Sequence, residues 1–211
     1  MRDFLIRCSS LGKIMTSPTA AAIKAGEVLS VGAKTYLREL AAQEIFGIDF
    51  EVSSKTMEKG LMVEQDGIDL LNRVRGLSLV KNTERRRDDL LIGECDLFHA
   101  ERKRGHDIKC PWSASTFPIT EIDCRDSLYE WQMQGYMRLW DAEEWEVNYT
   151  LVDTPGELIG KFEPMPMHIV SGIPEHMRLT TWTVRRDPEK QAEIAVKVPA
   201  ARAYMADVFA E

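Results

Sequence analysis

The sequence predicts an α/β fold in which helices and short strands share one core. Two observations support this prediction. Apolar residues recur at helical spacing in several segments, and other segments are short apolar runs of strand length. The chain has 211 residues, of which 44% are hydrophobic and 29% are charged. A chain of this size is most economically one globular domain, so we assign residues 1–211 to a single domain.

The amino-terminal third of the chain is predicted to be helical. Residues 9–25 fit a short helix that is interrupted at Pro18, and residues 33–46 fit a second helix. A longer helix is expected over residues 55–75, because serines at its start suit a cap and Gly76 suits its end. Its apolar stripe consists of Met57, Leu61, Ile68, Leu71 and Val74.

The middle of the chain is predicted to contain most of the strands, because its apolar runs are short and bounded by polar residues. The predicted strands cover residues 77–81, 90–98, 105–110 and 145–152. A helix over residues 127–141 lies between the last two of these strands.

The carboxy-terminal quarter begins with a segment rich in turn-forming residues. Residues 154–178 contain four prolines and three glycines, so we expect a loop region with at most a short strand at 167–170. Residues 179–185 alternate as a strand. A closing helix is expected over 187–209, where Pro188 suits the first turn.

Composition and charge exclude several classes of protein. No apolar run approaches the roughly 20 residues that span a bilayer, so a membrane protein is not expected. The first residues are interrupted by charge and do not fit a secretory signal, so we expect a cytoplasmic protein. The four cysteines form no CxxC pair, which argues against a zinc knuckle or redox motif.

The net charge of −7 disfavours nonspecific binding to polyanions. The distribution of charge matters more than its sum, however. Basic clusters occur at residues 85–87 and 102–104. Such clusters are more often solvated turns than binding patches, but the second one directly precedes a strand with a candidate active-site sequence.

That candidate site lies on two short apolar runs that each deliver an acid near their ends. One run starts at Leu91 and leads to Asp96, and the other contains Asp107, Ile108 and Lys109. In a strand, Asp107 and Lys109 share one face while Ile108 faces the opposite layer. Two acids and a lysine on adjacent strands can hold a divalent metal and activate a water, as in metal-dependent phosphodiesterases.

The metal we expect is Mg²⁺, with Mn²⁺ as a substitute, because both prefer oxygen ligands. Asp96, Asp107 and the carbonyl of Ile108 are the predicted ligands, and Glu64 on the preceding helix would reach this metal or a second one. Carboxylates at such short range repel each other, so the metal-free site should be electrostatically strained.

Three further side chains have predicted roles with simpler alternatives. Lys109 can orient or deprotonate the attacking water and stabilise the transition state, and its alternative is an ordinary salt bridge to Asp107 or Asp96. Gln132 and Tyr136 are one helical turn apart and can bind the metal-site side chains or the DNA backbone. The alternative for Tyr136 is core packing.

Four segments together resemble the PD-(D/E)XK nuclease superfamily, and more narrowly the phage lambda exonuclease family of recombination nucleases. They are Gly60-x-x-x-Glu64, Asp96, Asp107-Ile108-Lys109-Cys110-Pro111-Trp112 and Gln132-Met133-Gln134-Gly135-Tyr136. Lysine followed by Cys-Pro-aromatic is much more specific than Asp-x-Lys alone. The resemblance extends from the amino terminus to about residue 152.

This resemblance implies a restriction-endonuclease-like core with a mixed central β-sheet flanked by α-helices. It also implies two-metal hydrolysis of double-stranded DNA ends in the 5′ to 3′ direction, which leaves 3′ single-stranded tails. Members of the family form trimeric rings around DNA, and a single-strand annealing protein is the implied partner. A ring explains processivity, because the enzyme dissociates only by running off the end.

The resemblance further implies a pocket for the 5′-phosphate, formed by Arg2 and Ser9. Arg7 or Ser10 can serve instead. One departure from the lambda-type pattern is Asp107, where those members have glutamate. A second is Glu94, which stands near a position where the family has a small hydroxyl residue; it is either a further ligand or faces away, and its role stays open.

Two other functions fit the same residues. One is a structure-specific or sequence-specific endonuclease on the same core, and the other is a DNA-binding protein that keeps the fold without turnover. The complete set of acids and lysine argues against the second, because a retired site has no reason to retain uncompensated carboxylates.

Overall fold

A computed structural model of the chain describes residues 5–50 and 53–210. Within these residues, helices flank two mixed sheets, which confirms the predicted α/β class. The smaller sheet has the strand order β1-β3-β2 and the larger one β4-β5-β6-β7. The strands are β1 (Ile6–Arg7), β2 (Arg85–Arg87), β3 (Leu91–Glu94), β4 (Leu97–His99), β5 (Arg104–Lys109), β6 (Glu144–Thr150) and β7 (Leu179–Arg185).

The helices begin and end close to the predicted residues, because their caps are encoded locally. Side-chain oxygens of Ser30, Ser54 and Asp126 accept hydrogen bonds from the first-turn backbone of α3, α4 and α5, respectively. Gly76 ends α4 in the left-handed region, at φ 63°. The helices are α1 (Leu11–Ile14), α2 (Ala20–Lys24), α3 (Val31–Phe46), α4 (Lys55–Arg75), α5 (Ser127–Trp140) and α6 (Pro188–Ala210).

Helix α5 packs against strands of both sheets, including β3 and β6. Its residues Met133, Tyr136 and Trp140 are buried in the main core, where Tyr136 and Trp140 contact Trp145 of β6. Aromatic side chains of this size bury a large apolar area, so this cluster fixes the position of α5 over the large sheet.

Helix α4 covers the other face of the large sheet. Ile68 and Leu71 of α4 pack on Leu97 and Ile108 in a second buried cluster. Gly67 allows this approach, since a Cβ at that position would lie 2.6 Å from the hydroxyl oxygen of Thr150. Strand β5 is therefore held between α4 on one face and α5 on the other.

The prediction of a strand at residues 77–81 is wrong. This segment is irregular because the side chain of Asn72 satisfies its backbone: the Leu79 amide donates to Asn72 Oδ1 at 3.0 Å, and Asn72 Nδ2 donates to the Leu79 carbonyl at 2.8 Å. The predicted short strand at 167–170 is also absent from residues 154–178. A 3₁₀ turn at Met165–Met167 takes its place.

The single strand predicted at residues 90–98 is two strands in two different sheets. The chain leaves the small sheet after Glu94 and joins the large sheet at Leu97. Asn82 binds the backbone at the break, where its amide donates to the Asp96 carbonyl and its Nδ2 to the Cys95 carbonyl. The basic cluster at 85–87, for which the sequence left a solvated turn and a binding patch open, is a strand that pairs with β3.

Candidate active site

Strand β5 presents Asp107 and Lys109 on one face, as the strand period predicts. The Nζ of Lys109 lies 2.7 Å from Asp107 Oδ2. Ile108 faces the opposite side and packs under α4. The salt bridge that was the simpler alternative for Lys109 is therefore present, and it places the ammonium beside the carboxylate.

Asp96 lies at the break between β3 and β4 and reaches the same site. Its Oδ2 accepts a hydrogen bond of 2.7 Å from the backbone amide of Ile108. Burial, and after it the negative charge of Asp107, raises the pKa of Asp96 to about 7. The negative charge of Asp107 thus contributes to the raised pKa of Asp96, in the direction that repulsion between the two acids requires.

Lys109 is held in its charged form. Burial alone would lower its pKa, but the carboxylates of Asp107 and Asp96 outweigh burial and raise the pKa above the ordinary value. The ammonium also lies 4.5 Å from the ring centroid of Tyr129, which favours a cation. A lysine in this environment is a fixed positive charge at neutral pH.

Gln132 and Tyr136 of α5 join this cluster. Gln132 Nε2 lies 3.4 Å from Asp107 Oδ1 and donates at 3.2 Å to the Tyr136 hydroxyl. That hydroxyl donates to the Glu94 carbonyl at 3.0 Å. Tyr136 also packs in the core, so the predicted site contact and the alternative of core packing are both found. Through this chain of bonds, α5 fixes the orientation of Asp107.

Glu64 projects from α4 but is engaged by another residue, since its carboxylate forms an ion pair with Lys81. In the part of the chain that the structure describes, no three His, Cys, Asp or Glu side chains are grouped closely enough to form a metal site. The role of Glu64 as a metal ligand therefore stays a prediction.

The donor chemistry at Asp96 and Asp107 nevertheless fits a hard divalent cation. Asp107 Oδ2 is buried and, among the described residues, has the Lys109 ammonium beside it but no hydrogen bond of good geometry. Two adjacent carboxylates, of which Asp96 has a raised pKa, are an arrangement that a divalent cation relieves. Asp96, Asp107 and the carbonyl of Ile108 are the groups that would hold it.

Comparison with known proteins places this geometry in a family. No family model matches the chain, and no curated protein is significantly similar to it. A solved structure, a phage-related exonuclease from Haemophilus somnus 129PT, is 36% identical to it with a TM-score of 0.91. The match covers 98% of this chain and 96% of that one. This chain belongs to the phage-related exonuclease family.

Two more distant structures share the fold of this family member. The alkaline exonuclease LHK-Exo from Laribacter hongkongensis is 16% identical with a TM-score of 0.66, and its complex with dAMP is 18% identical with a TM-score of 0.63. Each match covers 96% of this chain and 88% of that one. The 36% identical structure thus confirms the predicted exonuclease family, and the two more distant structures show the same fold.

A cavity of about 230 Å³ opens next to the site in this exonuclease-family chain. Ser9, Arg7 and Arg85 line it together with Glu94 and Tyr136. Arg2, the other predicted 5′-phosphate residue, lies outside the described residues. Ser10 lines a neighbouring cavity but not this one.

Glu94, whose role the sequence left open, faces the same cavity. Its carboxylate lies 3.3 Å from the guanidinium of Arg85, its cross-strand neighbour. Because its backbone carbonyl accepts a hydrogen bond from the Tyr136 hydroxyl, Glu94 connects the cavity to the cluster of Gln132 and Asp107. We therefore assign its carboxylate to the cavity wall.

Sequence reasoning missed Lys59, which is fully buried in α4. Its Nζ donates to the carbonyls of Pro111, Trp112 and Val152 at 2.6, 3.1 and 3.0 Å. Burial lowers the pKa of Lys59 to about 8. Lys59 thus holds two parts of the chain together, namely the segment that follows Lys109 and the residues at the end of β6.

Tyr129 and Lys81 were missed as well, and Arg85 was noted only as part of the basic cluster at 85–87. Tyr129 precedes Gln132 by three residues, so helical spacing could have placed it on the same face. Lys81 had no such signal, because its position depends on an irregular segment. The place of Arg85 beside the site depends on a strand that the apolar pattern does not reveal.

Proposed function

We propose that this chain is a metal-dependent 5′ to 3′ exonuclease that degrades linear double-stranded DNA. It would leave 3′ single-stranded tails for recombination by strand annealing. The observation that carries the proposal is the ion pair of Asp107 and Lys109, bridged to Asp96 through the Ile108 amide, in a chain of the phage-related exonuclease family.

The metal we propose is Mg²⁺, for which Mn²⁺ can substitute. The groups that would hold it are Asp96, Asp107 and the Ile108 carbonyl. Glu64 would become a further ligand when its carboxylate leaves Lys81 and binds the metal. When bound, such a metal activates a water and stabilises charge on the phosphate.

The protein's own residues supply the remaining electrostatics. The Lys109 ammonium is kept charged and would stabilise the additional negative charge that develops on the scissile phosphate. It would also orient the attacking water through its N–H donors. Gln132 would hold Asp107 in place during the reaction, since it donates to the oxygen that Lys109 does not contact.

The cavity next to the site supports the proposed 5′ polarity. Arg7 and Arg85 provide guanidinium donors, and Ser9 provides a hydroxyl, which are the groups that recognise a terminal phosphate. A 5′-phosphate bound there would place the first phosphodiester near Asp107. In this proposal Arg7 or Arg85 performs the role that the resemblance gave to Arg2.

We further propose the partners that accompany this activity. Double-stranded DNA ends are the substrate, a homotrimeric ring is the assembly, and a single-strand annealing protein receives the tails. The enzyme would act in the cytoplasm of a bacterial or phage-infected cell. None of the helices among the described residues is long and apolar enough to cross a membrane.

The test is digestion of linear duplex DNA labelled at either end, with and without a 5′-phosphate, in Mg²⁺ and in EDTA. The expected result is release of the 5′ label from phosphorylated ends in Mg²⁺ only. Arg7→Gln and Arg85→Gln should reduce the preference for the 5′-phosphate.

A closed circular substrate, run in parallel, separates the alternatives. Cutting of circles would contradict the exonuclease and support the endonuclease. An absence of cleavage on both substrates, with DNA binding retained, would instead support the non-catalytic DNA-binding protein.

A further inference from the structure

A second polar cavity, of about 160 Å³, lies on the side of the large sheet opposite the catalytic pair. His106 precedes Asp107 in β5 and therefore points to the other face of the sheet. The cavity opens where α4 ends, so the helix no longer covers the strands there. Its polar lining consists of Arg75, His99, Arg102, Arg104, His106 and Glu146, and we call it the arginine–histidine cavity.

The charge of this cavity is predominantly positive. Its one acid, Glu146, already lies 3.0 Å from Arg104 and 3.1 Å from His106 Nδ1. Arg104 is further paired with Glu144 on the neighbouring strand. The close partners of these acids are therefore one arginine and one histidine, whereas Arg75 and Arg102 form no ion pair among the described residues.

Two of the three arginines remain available to a ligand. Arg75 donates to the hydroxyl of Thr181 at 3.0 Å and, among the described residues, forms no ion pair. Arg102 is exposed and forms no hydrogen bond or ion pair within residues 5–50 and 53–210. Two guanidinium groups that border one small cavity suit a tetrahedral oxyanion.

His106 gives a second, independent indication of a ligand. Its side chain is only 4% exposed, yet Nε2 has no hydrogen-bond partner among the described residues. A buried polar nitrogen is normally paired, because leaving it unpaired costs free energy. An oxyanion bound in the cavity would provide the missing partner.

We propose that the arginine–histidine cavity binds a phosphate group, held by Arg75, Arg102 and His106. The volume of about 160 Å³ accommodates one such group. The phosphate is either a backbone phosphate of DNA that extends beyond the catalytic cleft or a free phosphate ion. This site is separate from the proposed 5′-phosphate pocket and does not depend on cleavage.

The test is the imidazole NMR spectrum of the full chain labelled at its four histidines, recorded in EDTA so that no cleavage occurs. The His106 signal is assigned from variants of the other three. One arm adds potassium phosphate against potassium chloride of equal ionic strength. The other adds a short duplex with 5′-hydroxyl ends, which avoids the 5′-phosphate pocket.

The variant Arg102→Gln is compared with Lys103→Gln, which removes the same charge from a neighbouring residue that does not line the cavity. We expect the His106 signal to shift in the wild type and in Lys103→Gln, and binding to be about tenfold weaker in Arg102→Gln. A shift with phosphate alone identifies a free ion, and a shift with duplex alone identifies a DNA phosphate.

The proposal is overturned if neither arm moves the His106 signal, or if Arg102→Gln responds as the wild type does. Both results can be obtained whether or not the protein cleaves DNA in Mg²⁺. Failure of the phosphate-binding proposal is therefore distinguishable from failure of the proposed nuclease activity.

Discussion

At the scale of single residues, Lys109 shows how charge outweighs burial in this site. Asp107 and Asp96 keep its ammonium charged. Replacing Lys109 with a neutral side chain of similar length therefore removes one charge and little volume. We expect Lys109→Met to lower the cleavage rate by about 100-fold or more, since a single lost electrostatic donor costs this much in other active sites. Steady-state assays on linear duplex measure the effect.

Binding of duplex in EDTA should change by less than about threefold in Lys109→Met, because one contact among many is lost. The exposed Lys103→Met is the control and should retain full activity. If Lys109→Met cleaved DNA at the wild-type rate, Lys109 would have no role in the mechanism.

Asp96 gives a prediction in which function and stability oppose each other. Its folded-state pKa of about 7 lies above the ordinary value near 4. Between these two pH values the folded, metal-free protein keeps a proton that the unfolded chain has released. The free energy of unfolding therefore falls as pH rises through this window, and the full loss is reached above about pH 7.

We expect Asp96→Asn to remove this pH dependence and to stabilise the metal-free protein at pH 8 by on the order of 4 kcal/mol, since each unit between the two pKa values contributes about 1.4 kcal/mol. Urea unfolding in EDTA at pH 5 and pH 8 measures it, and the difference between variant and wild type should be much smaller at the lower pH. The same substitution should abolish cleavage. A variant that is less stable than the wild type at pH 8 would contradict the repulsion between Asp96 and Asp107.

How far a residue could be predicted depends on the range of the interactions that place it. Asp107 and Lys109 follow from the strand period, and Gln132 with Tyr136 from the helical period. Lys59 and Lys81 do not, since their partners lie 52 and 17 residues away across a fold that the local sequence does not define. Both lysines look like ordinary surface charges in the sequence.

At the scale of elements, the contact between α4 and the large sheet holds Ile108 and thereby the strand that carries Asp107 and Lys109. A Cβ added at Gly67 would lie 2.6 Å from the Thr150 hydroxyl and 2.9 Å from Ile108 Cγ2. We expect Gly67→Ala to lower the free energy of unfolding by about 1–3 kcal/mol, because the packed interface cannot accept the additional volume. Chemical denaturation measures this loss.

Gly60→Ala on the same helix is the matched control. Nothing lies within 4 Å of a Cβ added there, so alanine should stabilise the protein by up to about 1 kcal/mol through its helix propensity. Equal effects of the two substitutions would show that backbone propensity, and not the approach of α4 to the sheet, determines the result at Gly67.

The elements that the sequence failed to predict share a physical cause. Strand β1 has two residues, which is too short for any periodic pattern, and β2 consists of three arginines that an apolar pattern cannot reveal. Both are strands because β3 offers them backbone partners. Their structure is decided by tertiary pairing, whereas α3, α4 and α5 carry their own caps.

At the scale of the whole molecule, the candidate active site lies where the two sheets meet. Asp96 stands between the last residue of β3 and the first residue of β4, and thus at the point where the chain passes from one sheet to the other. Helix α5 contacts both sheets and delivers Gln132 to Asp107. The site therefore depends on the relative placement of the sheets, which explains why no single segment of the sequence reveals it.

The proposed ring makes a last prediction about processivity. If the chain forms a trimer around DNA, light scattering should give three times the chain mass of 24.1 kDa. A ring leaves its substrate only by running off the end, so an excess of unlabelled duplex added after digestion has begun should not stop it. Product lengths then show long tails on few molecules, even when substrate exceeds enzyme.

The control is addition of the same competitor before the labelled duplex, which should block digestion. A monomer in solution, together with short tails distributed over all molecules after the challenge, would contradict the ring while leaving the chemistry at Asp107 and Lys109 intact. Topology and catalysis are thereby tested separately, because the first determines how long the enzyme remains on DNA and the second how fast it cleaves.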